Sequence, residues 1–191
     1  MILAKDIVTE EIKSLHEKSL PVELPIGQDD VKTLYEMLAY LINSQDDKKA
    51  AELNLRPGVG LAAPQIGVNK CMFVVFATDE EGIKHTLLVV NPKIIKTSNQ
   101  MVYLNGGEGC LSVQRETCGV TPRYKEIKAD CYLYNLKLNK LERKIITLRN
   151  YLAIVFQHEY DHLFGTLYVD KMMNEDEAKQ KHIYPLWEEE D

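Results

Sequence analysis

The strongest constraint on how this 191-residue chain folds is a helical segment near its end that places two histidines on one face. Apolar residues and both histidines recur at three- and four-residue steps from about Asn150 to Phe164, so His158 and His162 share a side of the predicted helix. Gly165 follows and can end the helix in a left-handed conformation. Because the histidines lie on the apolar face, the pattern predicts that they are buried.

The histidines belong to the run His158-Glu159-Tyr160-Asp161-His162. Imidazoles one helical turn apart can bind the same metal ion, and the Glu beside the first His then lies near the open coordination positions, where it can act as a general base. A chance run on a solvated helix is the alternative. Burying two imidazoles without partners would be costly, which favours the metal site.

A catalytic site of this kind usually has a third protein ligand and keeps a position for water. The remaining histidines lie in charged surroundings: His16, His85 and His182. The segment Glu108-Gly109-Cys110-Leu111-Ser112 offers a thiol and a carboxylate beside glycines that allow close approach of backbone. Cysteine on its own is more often a small buried apolar residue than a ligand. These residues alone leave the third ligand open between a histidine, a carboxylate and Cys110.

A third segment, Gly58 to Gly67, is small, apolar and rich in glycine. It does not match a phosphate-binding loop, because no Lys-Ser/Thr pair follows it and Pro64 would disturb the start of a helix. It predicts either a tight turn packed beneath a site or a backbone wall that a substrate approaches. Gln65 is its polar side chain, and an amide N–H there could donate to a developing oxyanion.

The rest of the pattern predicts an α+β fold, with antiparallel or mixed β-sheets packed around the central histidine-bearing helix. Asp29 or Asp30 is expected to cap an earlier helix through Leu41, and a shorter helix is expected from Asp47 to about Leu53. Strands are expected in five short runs that are mostly β-branched or aromatic: Cys71–Ala77, Thr86–Val90, Ile94–Thr97, Ile127–Tyr134 and Lys144–Leu148. Without repeats or low-complexity linkers, residues 1–191 are expected to form one catalytic domain.

Composition limits the partners. The net charge of −6 argues against a surface built to hold DNA. No signal peptide and no membrane-spanning stretch are predicted, so a cytoplasmic location is expected. The four cysteines are then expected to be reduced, as a thiolate ligand requires.

The three segments together resemble the signature of the peptide deformylases, in order and in wide separation. Gly58-Val59-Gly60-Leu61-Ala62-Ala63-Pro64-Gln65 resembles the first motif of that family, Glu108-Gly109-Cys110-Leu111-Ser112 the second, and His158-Glu159-Tyr160-Asp161-His162 the third. The longer stretch Leu41 to Pro57 is similar to the branch common in Gram-positive bacteria. The resemblance implies a hydrolase that removes formate from the N-formylmethionine of newly made polypeptides.

The resemblance also implies the roles of the site residues. Cys110 joins His158 and His162 as the third ligand of one divalent ion, normally Fe²⁺, which Zn²⁺, Ni²⁺ or Co²⁺ can replace. Glu159 is the general base, Gln65 and the backbone N–H of Leu111 hold the oxyanion, and the Gly60 backbone binds the peptide. From the residues themselves, Asp161 and Glu108 are candidate partners that orient the imidazoles, and a solvated helix residue is the alternative for Asp161. Arg123 is a candidate anchor of nearby backbone, a role that the sequence does not settle.

The partners implied are nascent formyl-Met polypeptides and, for some members, the ribosome. The acidic end Glu188–Asp191 does not match the basic helix that those members use there. Three other functions stay open from the sequence. They are a zinc endopeptidase, a structural metal module closed by a fourth ligand such as Cys118, and a cysteine hydrolase with Cys110 as nucleophile.

Overall fold

The computed structural model describes residues 1–187, and the acidic end Glu188–Asp191 lies outside the described residues. The helices are α1 (Gln28–Ser44), α2 (Asp47–Leu53), α3 (Asn150–His162) and α4 (Glu175–Gln180). The strands are β1 (Gly60–Ala62), β2 (Met72–Thr78), β3 (Lys84–Thr97), β4 (Met101–Tyr103), β5 (Arg123–Tyr124), β6 (Glu126–Asn135), β7 (Lys140–Arg149) and β8 (Tyr184–Pro185). Within residues 1–187, no helix has the length and apolar character needed to cross a membrane.

The strands form two sheets, and the predicted α+β class is confirmed. The larger sheet is antiparallel, in the order β1-β2-β3-β6-β7, so β1 is one of its edge strands. The smaller sheet is mixed: β4 lies between β5, which is antiparallel to it, and β8, which is parallel to it. The smaller sheet brings the C-terminal segment beside the middle of the chain.

The two long helices cover opposite faces of the larger sheet. Along β2, Met72 and Val74 pack in the core that includes α1, whereas Phe73 and Val75 pack in the core that includes α3. Alternate residues of a strand point to opposite faces, so a strand covered on both sides must be apolar at nearly every position. This burial explains the unbroken apolar run of β2 and places α3 in the interior.

Helix α3 begins where predicted and ends two residues earlier than predicted, at His162. Gly165 then adopts φ +70°, as expected, and its amide donates to the carbonyl of His162. A β-carbon at Gly165 would overlap the backbone of His16, so the turn requires glycine for space as well as for conformation. The turn fixes where the last histidine of the helix lies.

Two predictions about element boundaries were wrong. The residue before α1 is Gly27 rather than an Asp cap; Asp29 and Asp30 lie in the first turn, and Asp30 pairs with Lys70 at 2.5 Å. The runs Thr86–Val90 and Ile94–Thr97, expected as separate strands, form the single strand β3. The pairing of β3 with β6 shifts register between Val90 and Lys93. Asn91, at φ +48°, lies in this irregularity and bonds the backbone of Val22, which lets the strand bend without ending.

Candidate metal centre

Three side chains from two segments that are distant in sequence meet in the interior. The sulfur of Cys110 lies 3.4 Å from Nε2 of His162, and one ligand atom from each of Cys110, His158 and His162 lies within 4.8 Å of the others. All three residues are buried. Of the candidates that the sequence left open for the third ligand, the structure brings Cys110 to the histidine pair.

Local structure holds each of these side chains in place. Helix α3 presents His158 and His162 one turn apart, with ring centroids separated by 5.1 Å. Cys110 follows β4 in an irregular segment that Arg56 tethers, since its guanidinium donates to the carbonyls of Leu111 at 3.2 Å and Cys110 at 3.5 Å. The thiol therefore approaches the helix from a loop whose backbone is fixed by side-chain hydrogen bonds.

The donor set fits a divalent transition metal. Around a tetrahedral ion with bonds of about 2.0–2.3 Å, neighbouring ligand atoms lie about 3.3–3.6 Å apart, close to the Cys110–His162 separation. One thiolate and two imidazoles suit borderline ions such as zinc and ferrous iron better than magnesium or calcium, which prefer oxygen. Among residues 1–187 this trio is also the one group of three such side chains with converging ligand atoms.

A buried chain of charges orients the first histidine. Nδ1 of His158 lies 2.7 Å from Oε2 of Glu108, as predicted for a residue that orients an imidazole. Arg123 grips the same carboxylate with two hydrogen bonds of 2.7 and 2.9 Å and donates to Asp161 at 2.5 Å. Asp161, the other candidate partner, therefore bonds Arg123 and, at its outer end, Lys171, rather than an imidazole.

Burial and the neighbouring charges shift the pKa values of Glu108, His158 and His162. Burial alone would raise the pKa of Glu108, but the Arg123 charge and the hydrogen bond with His158 lower it to about 2. Burial would likewise lower the pKa of His158, yet hydrogen bonds to Cys110 and Glu108 raise it well above its usual value. Burial and the neighbouring His158 charge lower the pKa of His162. Metal ligation needs neutral imidazoles, so a proton and a metal ion would compete for His158.

Glu159 lies next to the centre and is buried. Burial raises its pKa to about 7; the charges of His158 and Arg123 oppose this rise, and that of Glu108 adds to it. Its Oε2 atom has no hydrogen-bond partner among residues 1–187. A buried carboxylate oxygen without a partner is costly unless something else binds it. The atom is free to bond water or a substrate.

Gln65 is buried beside the thiol, in the turn that follows β1. Its Oε1 accepts from the amide of Ala62 at 2.9 Å, which fixes the orientation of the side-chain amide. Its Nε2 donates toward the sulfur of Cys110 at 3.4 Å and the hydroxyl of Ser112 at 3.2 Å. The predicted oxyanion donor is thus directed at the side of the centre where Cys110 lies.

An open cleft of about 120 Å³ leads to the centre. Its lining combines polar groups with apolar side chains: Val59, Gly60, Leu104, Glu108, Gly109, Tyr151, Ile154, Val155, His158 and Glu159. Sequence reasoning missed Leu104 and Tyr151 as cleft residues. The helical periodicity could have suggested Tyr151, which shares the face of His158, but no local signal marks Leu104.

The remaining histidines and cysteines lie elsewhere. His16 bonds the backbone of Glu10, and His85 bonds Asp79. Cys118 is exposed and is not in the ligand cluster. The structure therefore does not bring Cys118 to the centre, as a closed structural site with that fourth ligand would require.

Known proteins are similar to this chain in sequence and in fold. The family model described as polypeptide deformylase matches residues 4–178. A peptide deformylase from Halalkalibacterium halodurans is 43% identical over 185 residues, which cover 97% of this chain and 99% of that protein. The crystal structure of a probable peptide deformylase from Synechococcus phage S-SSM7 superimposes with a TM-score of 0.65 at 38% identity, covering 87% of this chain and 98% of that one.

A third match is the Met-Ala-Ser-bound crystal structure of the class I type b peptide deformylase from Acinetobacter baumannii. It has a TM-score of 0.67 at 26% identity and covers 87% of this chain and 96% of that one. The family model spans nearly the whole chain, and the match with the Halalkalibacterium protein covers nearly all of both chains. The chain therefore belongs to the peptide deformylases, the hydrolases that remove the formyl group from N-terminal formylmethionine.

Proposed function

We propose that residues 1–191 act as one catalytic domain that deformylates newly made polypeptides with a divalent metal held by Cys110, His158 and His162. One observation carries the proposal: the thiol and both imidazoles converge beside a buried carboxylate whose Oε2 has no partner among residues 1–187. The arrangement matches a catalytic site, which keeps a coordination position open, better than a structural site with four protein ligands.

The metal expected is Fe²⁺, as the family resemblance implies, and Zn²⁺, Ni²⁺ or Co²⁺ suit the same donors. When bound, such an ion supplies Lewis acidity, which polarises a carbonyl and lowers the pKa of water. The hydrogen bond between Glu108 and His158 holds the ring with its other nitrogen available for ligation. The protein thus presents a ligand set with one imidazole already oriented.

Glu159 moves the proton. Its carboxylate accepts a proton as water attacks the formyl carbon, and it then transfers that proton to the amine nitrogen as the C–N bond breaks. The products are formate and a free N-terminal methionine. The unpaired Oε2 of Glu159 supports this role, because the atom has no hydrogen bond within residues 1–187 to break before it can accept.

Gln65 and Leu111 stabilise the negative charge that develops on the formyl oxygen. The side-chain amide of Gln65 and the backbone N–H of Leu111 are the proposed donors. Both belong to groups that are already held in position: the Ala62 amide donates to the side-chain carbonyl of Gln65, and Arg56 donates to the Cys110 carbonyl of the peptide unit that carries the Leu111 N–H. Donors fixed before the reaction cost little reorganisation as charge develops.

The lining of the cleft suits the proposed substrate, a formylmethionyl peptide. Its apolar wall suits a methionine side chain, which is flexible and fills irregular apolar space. Gly60 lies on β1, an edge strand, so its backbone can pair with a peptide extended along that edge. The proposed partners are nascent formyl-Met chains and the ribosome that makes them. The proposed location of the reaction is the cytoplasm.

The test is anaerobic purification, metal analysis and a formate-release assay on formyl-Met-Ala-Ser. Release of formate, without cleavage of an internal bond in a longer unformylated peptide, is expected and would exclude the endopeptidase alternative. Glu159→Gln should retain the metal and lose formate release. Full activity in that variant would refute the base assignment, and a wild-type chain inactive on formyl peptides would refute the proposed function.

A further inference from the structure

The C-terminal segment is attached to the strand that leads into the cleft. Strand β8 pairs with β4, and the amide of Leu186 continues that pairing by donating to the carbonyl of Tyr103 at 2.8 Å. Beyond it, Asn105 bonds the backbone of Trp187 in both directions, at 3.0 and 3.2 Å. The segment from β8 to Trp187 is therefore fixed to the residues on both sides of Leu104, which lines the cleft.

The ring of Trp187 reaches a second wall of the same cleft. It packs against Tyr151 with ring centroids 6.1 Å apart and an interplanar angle of 37°. Tyr151 stands in the first turn of α3 and lines the cleft. Trp187 itself is 42% exposed and is not among the lining residues, so it contacts the wall from outside.

We propose that Trp187 is a positioning residue for substrate binding, which holds Tyr151 and the Leu104 segment in the arrangement that receives the formylmethionyl peptide. The inference rests on the proposed function, since it assumes that this peptide occupies the cleft. Fixing a side chain in its bound conformation before binding reduces the entropy lost on association. The contact between the rings of Trp187 and Tyr151 achieves this without touching the reacting atoms.

A preorganising role predicts a change in KM rather than in turnover. Trp187→Ala should raise KM for formyl-Met-Ala-Ser about two- to tenfold, the range expected for one aromatic pair, with kcat and metal content unchanged. Trp187→Phe should restore most of the binding. Tyr184→Ala is the matched control: it removes an exposed aromatic side chain from the same segment, keeps the backbone pairing with β4, and should leave KM unchanged.

A double-mutant cycle separates this role from general destabilisation. If Trp187 acts through Tyr151, Trp187→Ala should have little further effect on KM in a Tyr151→Ala background. The proposal would be overturned if Trp187→Ala left KM unchanged, or if it raised KM as much in the Tyr151→Ala background as in wild type. It would also be overturned if Trp187→Ala lowered kcat and bound metal together.

Calorimetric titration with Met-Ala-Ser measures the same effect without catalysis. A weaker affinity is expected for Trp187→Ala and an unaltered one for Tyr184→Ala; equal affinities for wild type and Trp187→Ala would contradict the positioning role. A chain that bound Met-Ala-Ser but released no formate would refute the proposed function while leaving the role of Trp187 testable.

Discussion

A β-carbon at Gly60 would lie 2.6 Å from Cδ of Glu159, closer than real β-carbons approach any atom. The backbone of an edge strand and the proposed general base are thus in contact, and the contact exists because residue 60 has no side chain. The φ angle of Gly60 is not in the left-handed region, so the requirement for glycine is one of space. The first and third motifs meet at this point.

Gly60→Ala should therefore abolish most deformylation while leaving the metal in place. The added methyl group must displace the carboxylate of Glu159 from its position beside the centre, because the three atoms nearest to that group all belong to Glu159. The measurements are kcat and bound metal. Gly27→Ala, at the start of α1 where a β-carbon meets only Asp30 at 4.0 Å, is the control and should retain activity. Normal turnover in Gly60→Ala would show that the position of Glu159 does not limit the reaction.

Gln65→Ala is expected to lower kcat about a hundredfold with a much smaller change in KM, because it removes one donor to the developing oxyanion. Metal content must be measured in parallel, since the same amide also donates toward the Cys110 sulfur. Ser112→Ala removes the other acceptor of that amide and should have little effect. Turnover near that of wild type in Gln65→Ala would exclude the oxyanion role.

Two bidentate Arg–carboxylate pairs, one buried and one exposed, should differ sharply in their contribution to the free energy of unfolding. Arg123 binds Glu108 with its side chain 2% exposed, and Arg143 binds Asp130 in the same geometry with its side chain 65% exposed. Arg123→Met should lower the free energy of unfolding by about 3–5 kcal/mol, because it leaves a carboxylate buried without its counter-charge. Arg143→Met should lower it by about 0–1 kcal/mol.

Denaturant unfolding of the metal-free proteins measures both values. Arg123→Lys provides an intermediate case if the Met variant does not fold, because lysine keeps the charge and loses the planar pair of hydrogen bonds. Equal effects at Arg123 and Arg143 would mean that burial does not govern the strength of these pairs.

Much of the site could be predicted because its information is local. The spacing of His158 and His162 defines a helix face, and the long apolar run of β2 requires a strand covered on both sides. Comparison of the motif segments with a known family also singled out Cys110 as the expected third ligand. Patterns within a few residues were sufficient for these features.

The features that could not be predicted depend on contacts between distant segments. The sequence did not settle the role of Arg123, since buried arginines are rare and its partners lie 15 and 38 residues away. Trp187 meets Tyr151 only because the parallel pairing of β4 with β8 returns the end of the chain to the cleft. Two-residue strands such as β5 and β8 are too short for alternation to reveal them.

The last prediction concerns the two cysteines that the sequence offered as ligands. Cys110→Ser should lose both metal and formate release, because a hydroxyl is a poor substitute for a thiolate at this centre. Cys118→Ser should retain both, because Cys118 is exposed and lies outside the ligand cluster.

Chelation should distinguish the same two variants through stability. A bound ligand stabilises the folded state by about 2.7 kcal/mol when it is present at about a hundred times its Kd, so removing the metal should lower the Tm of wild type and of Cys118→Ser. It should leave the Tm of Cys110→Ser unchanged, because that variant has no ion to lose. A Tm that fell equally in all three proteins would place the stabilising ion elsewhere, and the proposed assignment of Cys110 would then be wrong.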